Sequence, residues 1–109
     1  MIVKRETMKM NNELERIKKT LAAHREELTQ KYKVKEIGVF GSVVRGEQKG
    51  TSDVDILVEF DEGARLGLLK FINLENYLSE LLGVKVDLVM KSALKPRIGK
   101  HVVKETVYL

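Results

Sequence analysis

The sequence predicts an α/β chain of the α+β kind, a small mixed β-sheet with helices packed against it. Apolar residues recur at helical spacing over residues 12–31 and 66–82. Three short runs rich in β-branched and apolar residues, at 36–40, 53–60 and 84–90, read as strands. The connections set the topology. The link between the first two runs is too short for an ordinary parallel crossover, so these strands are expected as antiparallel neighbours. The link between the second and third carries a full helix and suits a parallel, right-handed crossover.

Taken in chain order, residues 1–11 show no clear period and are read as a flexible N-terminal extension with no assigned role. Asn12 with Glu15 fits a helix N-cap and capping pair. Leu14, Ile17, Leu21 and Leu28 then keep one face to about Lys31, with Lys, Arg and Glu on the solvated side and His24 exposed. Glu36 to Phe40 is a strand bounded by Gly41, and Ser42 to about Arg45 is a helical turn. GEQKGTS (46–52) is loop, with Ser52 capping it or supporting Asp53. From Asp53 to Phe60, Asp53, Asp55 and Leu57 point one way and Val54, Ile56 and Val58 the other.

Asp61-Glu62-Gly63 ends that strand. A helix from Leu66 to Leu82 carries Leu68, Leu69, Ile72, Leu74, Leu78, Leu81 and Leu82 and closes on Gly83. Val84 to Met90 is the third strand. Lys95-Pro96 opens a last helix to about Lys104, bearing His101, and Thr106 to Leu109 is a short terminal strand. Tyr77 and Tyr108 read as packing residues. Lys91, Lys95, Lys100 and Lys104 read as scattered, solvated lysines.

Composition narrows the chemistry. The 109 residues fit one domain over 1–109, and 43% hydrophobic content with one proline argues against disorder. Without cysteine, thiol chemistry, disulfides and Cys-based zinc sites are excluded, and two histidines make no His-rich site. A metal here should be a hard, oxygen-liganded ion such as Mg²⁺ or Mn²⁺. No apolar run approaches the ~20 residues needed to span a bilayer, so no membrane role is expected and the chain is read as cytoplasmic. The net charge of +4 favours anionic partners only mildly, and no nucleic-acid-binding motif accompanies it. The 33% charged content exceeds the ~25% of ordinary domains and hints at a thermophilic source.

Chemistry concentrates in the run GVFGSVVRGEQKGTSDVDILVEF. Asp53 and Asp55 lie one residue apart on a strand, so both carboxylates leave the same face, ~7 Å apart along the chain. That spacing lets two acids chelate one ion together and share a second, while Val54 anchors them in the core. An isolated Asp-x-Asp is more often a solvated strand edge. Gly41-Ser42 ends a strand at a helical turn, where glycine admits close backbone approach and Ser42 adds a hydroxyl for a phosphate oxygen. A bare Gly-Ser is more often an ordinary turn. Asp87 sits in an otherwise apolar strand, where an unpaired carboxylate needs a metal, a donor or open solvent. If that strand lies beside the second, Asp87 faces the same site.

Gly-Ser, ten residues, Asp-x-Asp and a later strand aspartate together resemble the nucleotidyltransferase fold of the DNA polymerase β superfamily. The fuller pattern, Gly-Ser-x-x-Arg-Gly before Ser-Asp-x-Asp, resembles the minimal nucleotidyltransferase branch, including its antitoxin members. The resemblance covers the chain from about Glu13 to its end, with no departure at the positions that carry it. It implies that Asp53 and Asp55 bind two Mg²⁺ ions and that Asp87 completes the metal site and helps activate the attacking hydroxyl. Gly41 and Ser42 would hold the triphosphate of ATP, the in-line attack would release pyrophosphate, and AMP would pass to the acceptor. Arg45 is left between a phosphate contact, a partner contact and a surface salt bridge. The implied partner is a HEPN-type ribonuclease toxin, silenced by AMP on a tyrosine hydroxyl. A module that masks the toxin without catalysis and a transferase for a small hydroxylated molecule are the alternatives.

Overall fold

The polypeptide builds a four-stranded sheet in the order β3-β2-β1-β4, from β1 (Val34–Phe40), β2 (Val54–Phe60), β3 (Val86–Met90) and β4 (Val107–Tyr108). The computed structural model describes residues 2–47, 53–64 and 67–109. Among the described residues five helices accompany the sheet: α1 (Ile2–Ala23), α2 (Arg25–Tyr32), α3 (Ser42–Arg45), α4 (Leu68–Leu82) and α5 (Pro96–Glu105). As the link lengths predict, β1 and β2 are antiparallel, and β2 and β3, joined through α4, are parallel. The terminal strand β4 pairs antiparallel with β1. Lys91–Ala93 forms a 3₁₀ turn after β3.

One face of the sheet makes the core. Val54, Ile56 and Val58 of β2 are fully buried, together with Val34, Ile37 and Val39 of β1 and Val86 and Leu88 of β3. Ile17, Leu21 and Leu28 from α1 and α2, and Leu74, Leu78 and Leu82 from α4, join them in the same cluster. The stripe from Leu14 to Leu28 is therefore the core-facing stripe that its spacing predicts. The β2 alternation holds, with Leu57 on the face of the acids, and Leu57 is nevertheless only 1% exposed. That face is thus closed beside the acids and open at them.

The first helix departs from expectation at both ends. Asn12 is no N-cap, because α1 is already helical from Ile2. The preceding residues hold neither glycine nor proline to stop it and are rich in helix-tolerant Lys, Arg, Glu and Met. Nor does the helix run unbroken to Lys31. At His24 the main-chain N–H turns to Leu21 O (3.1 Å). The ring Nδ1–H of His24 takes the carbonyl of Thr20 instead, at 2.9 Å. His24 is accordingly half-buried and structural where exposure was expected. Leu21 and Leu28, on either side of the break, both lie in the core.

α4 begins at Leu68, one residue after Gly67, and closes on Gly83 as expected. The predicted start, Leu66, lies outside the described residues, as does Ser52 with positions 48–51 of the expected loop. Leu68 and Leu69 are 76% and 74% exposed, so only the later part of the α4 apolar stripe faces the core. β3 starts at Val86, two residues later than its apolar run suggests, where α4 closes its outer edge. Val86 N–H donates to Ser79 Oγ (3.0 Å) and Leu88 N–H to Glu75 Oε2 (2.9 Å). An edge strand that would otherwise present free donors is thereby satisfied by helix side chains. Tyr77 packs on Tyr32, ring centroids 5.4 Å apart, and its hydroxyl donates to Glu27 at 2.9 Å. Burial first, and that bond second, push its pKa up to about 12.

Candidate active site

β2 carries the site because it lies between β1 and β3, so residues from both neighbours gather around its first turn. Asp55 stands in register with Asp87 of β3 on one side and Phe40 of β1 on the other. Side chains in register on parallel neighbours leave the same face, so Asp55 and Asp87 meet. Asp53 lies one residue before β2, which is held at its start by Val54 N–H donating to Lys85 O at 2.9 Å. The sheet therefore brings together the three acids that the sequence singles out. Asp53 and Asp87 are exposed and Asp55 half-buried.

Electrostatics reports the same gathering. The pKa of Asp55 is raised from the ordinary carboxylate value, first by burial, then by the negative charges of Asp87 and Asp53. Arg45 works in the opposite direction on it. Lys85 Nζ is 3.9 Å from Asp53 Oδ2, an exposed and loose pair that neutralises little. Among the described residues, no three acidic, histidine or cysteine side chains converge tightly enough to cage an ion unaided. Mg²⁺ is suited to such an open set, because it keeps several waters and is bound by one or two carboxylates together with substrate phosphates.

Gly41 is the other half of the site. Its φ of 80° and ψ of −151° lie in a region that only glycine adopts readily. A Cβ placed there would stand 2.2 Å from Asp55 Oδ2. Glycine is thus required twice, by conformation and by the approach of the carboxylate. From this turn α3 departs, with Val44 N–H and Arg45 N–H both donating to Gly41 O at 3.1 and 3.2 Å. Ser42, the first residue of α3, is half-buried next to it.

One residue at this site escapes sequence reading. Glu105, the last residue of α5, accepts a hydrogen bond from Arg45 Nη1, while Arg45 Nε lies 3.4 Å from Glu47. Of the three readings left open for Arg45, the salt bridge is present. A faint signal existed for Glu105: an acid at a helix C-terminus faces the negative end of the helix dipole and needs a cation from elsewhere. Two hollows among the described residues lie apart from the acids. One of 430 Å³ includes Lys31, Tyr32 and Tyr77 in its lining, and a groove of 480 Å³ runs beside Leu94, Gly99 and Val103. Lys91, Lys100 and Lys104 line that groove together, so these lysines are less scattered than their spacing suggests. Among the described residues, no helix is long and apolar enough to cross a membrane.

The chain is similar to known proteins in sequence and in fold. The family model for the nucleotidyltransferase domain matches residues 21–109. The chain is 59% identical over 96 residues to protein adenylyltransferase MntA of Thermococcus cleftensis, covering 88% of this chain and 95% of the relative. A solved structure described as a minimal nucleotidyltransferase is 41% identical, covers 84% of this chain and 94% of its own, and superposes with a TM-score of 0.68. A crystal structure of a toxin–antitoxin with AMP-PNP is 26% identical with a TM-score of 0.64, over 79% of this chain and 69% of its own. The acids on one sheet face, the glycine turn against them and these likenesses lead to one assignment: the chain belongs to the nucleotidyltransferase family and is an enzyme of its minimal branch.

Proposed function

We propose that this nucleotidyltransferase is a protein adenylyltransferase and the antitoxin of a toxin–antitoxin pair, moving AMP from ATP to a tyrosine hydroxyl of a HEPN-type toxin. The observation that carries the reading is the meeting of Asp53, Asp55 and Asp87 on one sheet face against the Gly41 turn. The likeness to an adenylyltransferase and to a toxin–antitoxin complex with AMP-PNP supports the nucleotide and the kind of partner.

In this reading Gly41 and Ser42 receive the triphosphate, with glycine allowing the approach and the Ser42 hydroxyl donating to a phosphate oxygen. Asp53, Asp55 and Asp87 would hold Mg²⁺, which would supply charge stabilisation to the transferring phosphate. The acceptor hydroxyl oxygen forms a bond to the α-phosphorus as the bond from that phosphorus to the bridging oxygen breaks. Pyrophosphate leaves, and the hydroxyl proton passes to the exposed Asp87. The protein mainly positions the groups, which suits an open, rigid strand pair.

The test is transfer from α-labelled ATP with Mg²⁺ to a co-expressed HEPN-type partner. Label should appear on the partner, vanish with Asp53→Ala plus Asp55→Ala, and fall when the acceptor tyrosine is replaced by phenylalanine. A partner that is bound and neutralised without label would overturn catalysis in favour of masking.

A further inference from the structure

Arg45 and Glu105 lie 60 residues apart in sequence, yet their side chains are hydrogen-bonded at the rim of the acid face. The two ends of this bond are not held alike. Glu105 is fixed: its side chain is only 19% exposed, against 48% for Arg45. The next residue, Thr106, donates its hydroxyl to Val102 O, at 2.6 Å. Its methyl lies so close to β1 that a Cβ on Gly38 would come within 2.5 Å of it. Arg45, by contrast, projects from a four-residue helix and, among the described residues, pairs with Glu105 and the exposed Glu47. Its main chain is nevertheless tied to Gly41 O, and Gly41 is the residue against which Asp55 rests.

We infer that Glu105 is a positioning residue, holding the Arg45 guanidinium beside the acids so that its remaining N–H groups meet the phosphates of the incoming nucleotide. Guanidinium has five N–H donors in a rigid fork; among the described residues one is spent on Glu105 and one points to Glu47, and the other three are available to an anion. A triphosphate arriving at three carboxylates needs positive charge besides any cation it brings. Arg45 N–H is bonded to Gly41 O at 3.2 Å, and Asp55 Oδ2 packs on Gly41 so closely that a Cβ there would lie 2.2 Å away, which seats the Arg45 turn beside the acids. A role in stability alone explains the pair poorly. An acid in the last turn of α5 opposes the helix dipole, and the Arg45 end of the pair stays half-exposed, where a charge is screened. Such departures from local preference concentrate at functional sites.

The inference rests on the nucleotidyl-transfer reading, so its test begins with that reading. Binding of a non-hydrolysable ATP analogue with Mg²⁺ is titrated calorimetrically for the wild type, Arg45→Lys, Glu105→Gln and the double variant, alongside thermal melting and turnover. Absence of wild-type binding would remove the nucleotidyl-transfer reading and this inference with it. With wild-type binding in hand, each single variant should bind ~10-fold more weakly, the loss expected for a misplaced charge-assisted contact. The double variant should be no weaker than the poorer single, KM for ATP should rise in step, and kcat at saturation should hold. Glu105→Asp, charged but shorter, should fall between wild type and Glu105→Gln, and it replaces the latter if that variant fails to fold. Wild-type affinity in Glu105→Gln or Glu105→Asp beside a weakened Arg45→Lys would overturn the role. Losses that simply add in the double variant would overturn it as well.

Discussion

At Asp55, charge and position oppose each other. The carboxyl is half-buried and faces two like charges, so its pKa stands above the ordinary carboxylate range, burial being the larger cause. The linkage has a definite sign. A carboxyl whose folded pKa exceeds its unfolded one favours the fold while protonated, and that contribution is lost as pH rises from the ordinary range through the raised value. At neutral pH its charge therefore costs stability. Asp55→Asn should melt higher than the wild type at pH 7 without divalent cations, and the gap should close as pH falls below the carboxylate range. Added Mg²⁺ should raise the melting temperature of the wild type more than that of the variant. Transfer activity should fall by roughly 10²-fold or more, the scale of losing a charge-stabilising group in the transition state. An Asp55→Asn protein that melts lower at neutral pH would contradict this account.

Elements matter here through their edges. β3 brings Asp87 to the site, and its outer edge is closed by two α4 side chains, with Glu75 receiving the N–H of Leu88 directly after Asp87. Leu88 is itself buried. Glu75→Ala leaves that donor without a partner, which should cost about 1–3 kcal/mol in urea unfolding. Glu75→Gln keeps an acceptor oxygen and should recover most of the loss. Because the strand carries Asp87, Glu75→Ala should also lower transfer activity. Equal stability of the Ala and Gln variants would show that the bond contributes nothing. The α1–α2 break is a similar device, in which a His24 side chain replaces a main-chain donor where the helix is interrupted.

For the molecule as a whole, the acid face depends on both sheet edges. β4 is only two residues long, yet it seats Thr106 against Gly38 and thereby fixes Glu105. Gly38→Val would drive a side chain into Thr106 and the carbonyl of Val107, contacts already at 2.5 and 2.9 Å for a Cβ alone. The expected result is release of β4 at a cost of about 1–3 kcal/mol, the usual range for overpacking. Hydrogen exchange should show faster exchange at Val107 and Leu109 N–H, with the β2–β3 amides still protected. Unchanged protection of β4 would refute the dependence.

Sequence alone determined the elements and the chemistry that each carries. Period two along β2 places Asp53 and Asp55 together, the link lengths dictate one antiparallel and one parallel pairing, and the Gly41 turn is legible as glycine before a helical turn. These are local properties, decided within a strand or by the length of a loop. Tertiary structure alone decided what depends on register and on distant contact. It set Asp87 opposite Asp55 and seated β4 on β1. It brought Glu105 across 60 residues to Arg45 and buried Leu57 on the acid face. It also interrupted the helix at His24, where a side chain outbids the main chain for a carbonyl. Periodicity says which way a side chain leaves its own element. Which residue it meets is settled only when the sheet assembles and the helices pack upon it.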